Sequence, residues 1–213
     1  MYLSCLEIDT SAARGRTWLA NPYRVHQRLL MAFPDGDAGR VLFRIEAERR
    51  PPRIVVQSSR PADWTRAFAE HPVLLGPPLQ KEVNPTLRAG QRLRFIVRAN
   101  PTARRLADRQ IGPDGKREMG PRVGLLKEQD QRAWLARKGK AGGFRPLAFE
   151  VRPSGQVVFP GGSGDERRLQ THASVDFEGI LEVTDPSLFA TTLADGVGAA
   201  KAFGFGLLLV ARA

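Results

Sequence analysis

The chain has 213 residues, with 33 Lys and Arg against 22 Asp and Glu, a formal charge of +11 and 42% hydrophobic residues. That apolar content excludes a disordered chain, and no apolar run reaches membrane-spanning length. The single cysteine, Cys5, excludes an internal disulfide framework and a Cys-rich zinc site, and suits a reducing, cytoplasmic compartment.

Residues 2–8 are mostly apolar and predict a buried first strand, not a charged signal sequence. A linker leads to Asn21 and Pro22, a good N-cap followed by a residue suited to the first helical position, so a helix is expected over 22–33. Val25, Leu29 and Phe33 form a stripe that can bury against a sheet. Tyr23 and His26, three apart, share the exposed N-terminal turn. Residues 34–37 break the helix. Strands follow at 41–46 and 53–57, then a helix at 61–69 and a Pro-interrupted edge strand within 73–83. Strand, helix, strand, strand, helix, strand is the split βαβ, ferredoxin-like order.

The order then runs again. Residues 92–98 alternate apolar side chains with arginines, as a half-buried strand does. A basic, Gly/Pro-rich connection occupies 102–124. Residues 125–138 predict a helix closed by Gly139, and strands at 147–151 and 156–159 flank a hairpin-like turn at 152–155. A further strand within 175–184 is extra to a simple repeat. Asp185-Pro186 opens a short helix by the same device as Asn21-Pro22, and 205–210 is a final strand. The reading is α+β, two tandem ferredoxin-like domains with antiparallel sheets, at 1–88 and 89–213, with the duplication inferred from element order alone.

Residues 92–152 hold sixteen Arg and Lys against six acids, so one segment carries nearly all of the net charge. Such a block suits a polyanion, and Arg98, Arg104, Arg105, Arg132, Arg137, Lys138 and Arg145 are the candidate contacts; a merely solvated basic face is the alternative. Near the C-terminus, Gly196, Gly198, Gly204 and Gly206 surround Lys201. This is neither a Walker loop, which needs Gly-Lys-Ser/Thr, nor a dinucleotide fingerprint, because Lys201 stands at the third glycine. It can bring amides close to a phosphate chain, or simply reverse the chain. The first turn of the 22–33 helix likewise favours an anion, although a lone histidine there also suits a plain surface role. His71 and His172 are isolated and read as structural or exposed; Phe95 and Phe149 read as core.

Taken together, the chain resembles the CasE family of CRISPR-associated endoribonucleases. The carriers are Leu19-Ala20-Asn21-Pro22-Tyr23 with His26; Gly90-Gln91-Arg92-Leu93-Arg94-Phe95 with Arg98-Ala99-Asn100-Pro101; Ala133-Trp134-Leu135 with Gly142-Gly143-Phe144; Phe177-Glu178-Gly179 with Leu181-Glu182-Val183; and Gly196-Val197-Gly198, Lys201, Gly204 and Gly206-Leu207-Leu208. The resemblance implies cleavage of CRISPR precursor RNA at the base of the repeat hairpin without metal or cofactor, by a chain monomeric when free, which keeps its product within the Cascade complex beside other subunits. It implies that His26 and Tyr23 line the scissile site and that the glycine-rich loop supports RNA binding. Relatives place basic residues where this chain has Gln27 and Met31, which leaves the auxiliary cation open between Arg24 and Arg28.

RNA brings its own nucleophile, the 2′-hydroxyl, so the protein has only to align, neutralise and move protons. His26 is assigned as general acid to the leaving 5′-oxygen, a role that contributes ~10²–10⁴-fold. A phenol titrates near ~10, too high for a base at neutral pH, so Tyr23 is assigned orientation of the reacting groups. Lys201 or a nearby arginine would stabilise the phosphorane charge. The expected ends are a 2′,3′-cyclic phosphate and a 5′-hydroxyl. A non-catalytic hairpin-binding assembly subunit, and more weakly a phosphate-binding metabolic enzyme, fit the same charge.

Overall fold

The computed structural model describes the backbone of residues 1–33, 38–111, 117–161 and 168–213, and the side chains of these except 105–121 and 157–170. In the first half, β1 (Tyr2–Glu7) is followed by helices α1 (Ala13–Leu19) and α2 (Pro22–Leu30). Strands β2 (Val41–Glu46) and β3 (Arg53–Ser58), helix α3 (Trp64–Phe68) and β4 (Leu79–Glu82) complete it. The strands pair antiparallel in the order β2-β3-β1-β4. In the second half, β5 (Arg92–Ala99) leads to a separate two-stranded sheet, β6 (Thr102–Ile111) and β7 (Arg117–Gly124), and then to α4 (Glu128–Ala141). Strands β8 (Phe144–Gly161) and β9 (Arg168–Val183), helix α5 (Pro186–Asp195), a 3-10 turn at Lys201–Phe203 and β10 (Leu208–Arg212) follow. Their order, β10-β5-β9-β8, repeats that of the first sheet. Both are ferredoxin-like sheets.

Each half has its own core. Val25, Leu29 and Phe33 bury with Leu6, Ile8, Phe43, Ile54 and Val56, as the helical stripe requires. Each such side chain contributes about 1.5–3 kcal/mol on leaving water. Phe95, Val97, Trp134, Phe177, Leu181 and Phe189 form the second core, against which Phe149 is partly buried. The caps act as their chemistry dictates. Asn21 accepts from the Arg24 amide at 3.1 Å and Asp185 from the Leu188 amide at 3.0 Å, each with proline at the first helical position.

Five expectations need correction. The linker before Asn21 contains α1, whose start has no side-chain cap and whose Gly15 depresses helix propensity; that glycine is required because a Cβ there would collide with the Asp9 carbonyl. The turn at 152–155 is a bulge inside one long β8 strand: Pro153 pairs with Val175 and Gln156 with Ala173, with Gly155 at φ +87° taking up the shift. The strand at 175–184 is therefore part of β9 and not an extra element. The connection at 102–124 is a paired β6–β7 ribbon. The last strand begins at Leu208, three residues later than read.

The two halves meet across β2. Although an edge strand, β2 is nearly all buried, because the second half covers it. Gln57 Nε2 donates to the Leu193 carbonyl at 2.6 Å, and Arg98 Nη1 to the Ile45 carbonyl at 2.9 Å. Between them Asp176 accepts from Arg44 Nη1 at 2.8 Å and from Arg98 Nη2 at 3.0 Å. No described helix is long and apolar enough to cross a membrane.

Candidate functional site

The seam between the halves seats the first turn of α2 against the glycine-rich loop. Tyr23 is 45% exposed, and its ring lies 5.8 Å from Phe203. His26, one turn along the same flank, stacks on Phe43 with centroids 6.1 Å apart and an 11° interplanar angle. Its Nδ1 is buried with no hydrogen-bond partner, and burial holds the imidazole below its usual pKa of 6.5. Phe43 also receives the loop: Gly204, at φ +82°, comes so close that a Cβ would lie 3.1 Å from the Phe43 ring. His26 and the loop are thus held by one β2 side chain.

Phe203 extends this arrangement. The ring of His172 also stacks on it, at 5.3 Å, with Nδ1 2.7 Å from Asn100 Nδ2. Tyr23, Phe203 and His172 form a row, so His172 is not the isolated residue that its place in the sequence suggests. No spacing rule could have found it, because 146 residues separate it from His26. A cleft of about 440 Å³ opens beside the row, lined by Pro22, Ile45, Arg98, Gln156, Phe203 and Gly204 among others.

The loop's other end faces a cationic hollow of about 310 Å³. Arg104, Arg122, Arg137 and Lys138 line it with Thr102, Gly198 and Ala199, and no acidic side chain does so among the described residues. Gly198 at φ +86° lies over Trp134, where a Cβ would come within 2.9 Å of the indole; this lets the loop close on α4. Burial first, then Arg40 and more weakly Lys138, lower the Lys201 pKa, against Asp195, which raises it.

Of the candidate RNA contacts, then, Arg104, Arg137, Lys138 and Gly198 converge in one hollow. Arg122 belongs with them and was not singled out, although it sits in the same basic run. The others stand apart. Arg98 is committed to Asp176. Arg132 pairs with Glu128 at 2.7 Å and lies over the Phe149 ring. Arg145 pairs with Glu182 at 2.9 Å. The side chain of Arg105 lies outside those described. Gly196 and Gly206 close the loop on itself, the Val197 amide donating to the Gly206 carbonyl at 2.8 Å.

Arg24 and Arg28 do not join His26. With Arg14, Gln27, Met31, Trp18 and His71 they line a separate cleft of about 580 Å³ on the other flank of α2. Among the described residues no group of three His, Cys, Asp or Glu is placed to hold a metal ion.

Comparison with known proteins converges on one family. The family described as CRISPR associated protein matches residues 1–212. The CRISPR-associated endoribonuclease Cse3 of Thermus thermophilus is 39% identical over 99% of this chain and 100% of its own. The CRISPR system Cascade subunit CasE of Escherichia coli is 34% identical over 99% of both. Among solved structures, Cse3 bound to a 19-nt RNA superposes with a TM-score of 0.78 at 36% identity, over 100% of both chains. The Escherichia coli Cas6e structure superposes with 0.73 at 29% identity, again over 100% of both. Matched along its length in sequence and in fold, the chain belongs to the CRISPR-associated protein family, in its CasE branch of endoribonucleases.

Proposed function

We propose that this protein cleaves CRISPR precursor RNA at the base of the repeat hairpin, without metal, in the cytoplasm, and retains the product as part of Cascade. The observation that carries the reading is the placement of exposed Tyr23 and half-buried His26 on one helix turn, beside a glycine-rich loop whose far end borders a basic hollow with no acidic lining among the described residues. Two relatives, Cse3 and CasE, bear endoribonuclease and Cascade names, and Cse3 structures hold RNA, one of them as a pre-cleavage complex. The domains divide near residue 88, at the entry to β5, so each contributes one wall of the site.

The 2′-oxygen attacks phosphorus, the bond to the 5′-oxygen breaks, and the 2′-hydroxyl proton passes to solvent or a base. His26 gives its proton to the departing 5′-oxygen. In the free protein, burial favours the neutral imidazole. An adjacent phosphodiester anion offsets that desolvation and restores the acid form, so the proton donor is assembled by the substrate itself. Tyr23 orients the reacting linkage, and Lys201 balances the phosphorane charge. Arg104, Arg122, Arg137 and Lys138 hold the stem by its phosphates, the accessible feature of an A-form helix.

Incubation of the chain with a labelled repeat RNA in EDTA tests this. The expected result is a single cut at the hairpin base, leaving a 2′,3′-cyclic phosphate and a 5′-hydroxyl. With His26→Ala, cleavage should fall at least ~10²-fold while hairpin affinity stays unchanged. Wild-type binding without cutting would instead favour a hairpin-binding assembly subunit, and strong nucleotide binding a metabolic enzyme.

A further inference from the structure

Helix α2 has two flanks on either side of its buried Val25–Leu29 stripe. His26 stands on one. Arg24 and Arg28, two residues away in either direction and so about 200° around the axis, stand on the other. Facing them, α1 contributes Arg14 and Thr17 to the cleft of about 580 Å³. No carboxylate lines this cleft among the described residues. The neighbouring Arg16 shows what a structural arginine looks like here: its Nη1 bonds the Thr10 and Ser11 carbonyls at 2.6 and 2.7 Å. Arg28 is braced by one bond to the Ala67 carbonyl at 3.2 Å, which fixes the guanidinium without neutralising it. His71, edge-on to Trp18 at 5.6 Å, feels the same field: burial first, then Arg28 and Arg14, lower its pKa. Like charges gathered on one hollow repel until an anion enters, and a planar fork such as guanidinium suits phosphate.

We propose that the α1–α2 cleft is a phosphate subsite for single-stranded RNA continuing beyond the hairpin stem, an inference that rests on the endoribonuclease reading. A strand leaving His26 and crossing the exposed turn at Tyr23 and Gln27 spans about one helix width, ~10–12 Å. That is about three phosphates at the ~3.4 Å rise of a stacked strand. Gln27 lies between the two flanks and lines the cleft as well. Gln27 and Met31 are neutral, so the cleft's positive charge rests on Arg14, Arg24 and Arg28.

The test uses the full chain and two uncleavable RNAs carrying a 2′-deoxy sugar at the scissile position: the hairpin alone, and the hairpin extended by single strands at both ends. Affinity is measured across a salt titration. Wild type should bind the extended RNA more tightly and with a steeper salt slope, by ~0.7 for each phosphate engaged. Arg14→Gln with Arg28→Gln should remove most of that difference and leave the hairpin-alone affinity unchanged. Because Arg28 also braces Ala67, Arg14→Gln with Arg24→Gln repeats the test without touching that bond. Equal affinity of wild type for both RNAs, or equal loss on both in the variants, overturns the subsite. Poly-glutamate bound through these arginines, with no gain from RNA extension, overturns it in favour of an acidic protein partner. Failure of wild type to bind the hairpin at all sinks the parent reading instead.

Discussion

Replacing Asp176 by alanine removes the carboxylate that joins the two halves at their seam. Arg44 loses its partner at 2.8 Å and Arg98 its fork at 3.0–3.1 Å. The Arg44 side chain is only 4% exposed and Arg98 21%. Breaking a buried pair this way costs about 3–5 kcal/mol, because a buried charge is left uncompensated. Glu46 remains 3.5 Å from Arg44 Nε, and Arg98 keeps some solvent, so the lower end, about 3 kcal/mol, is expected. At ~3 kcal/mol per molar urea, suited to a chain of this length, the unfolding midpoint should fall by ~1 M. The loss should come with a split transition, since the Arg44–Asp176 bond ties one sheet to the other. Glu182→Gln is the control: it breaks a pair with the exposed Arg145 and should cost at most ~1 kcal/mol. If urea denaturation shows Asp176→Ala no more damaging than Glu182→Gln, the seam is not held by this cluster.

Gly198→Ala must hold a left-handed backbone at φ +86° and press a Cβ toward Trp134, so it should cost about 1–2 kcal/mol or more and weaken hairpin affinity; unchanged melting and binding would refute the close approach. Arg137→Gln with Lys138→Gln should flatten the salt dependence of hairpin binding by ~0.9 per lost contact, whereas Arg145→Gln, already paired with Glu182, should change it little. His26, His71 and His172 are all held below 6.5 by burial, so the folded state refuses protons that the unfolded chain accepts. Their contribution is present in full above pH 6.5 and is lost as pH falls from there, so the urea midpoint should drop between about pH 7.5 and about pH 5.5. Asp176 titrates in another window: its carboxyl is held below 3.8 by Arg98 and Arg44 against the burial that raises it, so its contribution survives until pH falls below 3.8. A midpoint that holds or rises on mild acidification would contradict the histidine assignment.

Much of this molecule was legible in its order of residues. Asn21-Pro22 and Asp185-Pro186 announced two helices, because caps and proline act on their nearest neighbours. The Val25–Leu29–Phe33 stripe and the alternation at 92–98 declared their buried faces through period alone. Local chemistry misled where a long-range partner overrode it. Pro153-Ser154-Gly155 has the composition of a turn, yet β9 supplies a continuous strand for it to pair with, and a bulge absorbs the misfit. The capless α1 gave no start signal.

Residue types, charge blocks and family motifs thus singled out the candidates for chemistry: Tyr23, His26, the glycine loop and the basic run. Only the tertiary structure decided which of the arginines act together. Arg98, Arg132 and Arg145 face carboxylates brought from strand or helix neighbours, while Arg104, Arg122, Arg137 and Lys138 share one hollow and Arg14, Arg24 and Arg28 another. The reason is physical. A cation's role depends on the charge within a few ångströms of it, and chain folding, unlike residue type, brings such neighbours together from as far as 78 residues apart, as for Arg98 and Asp176.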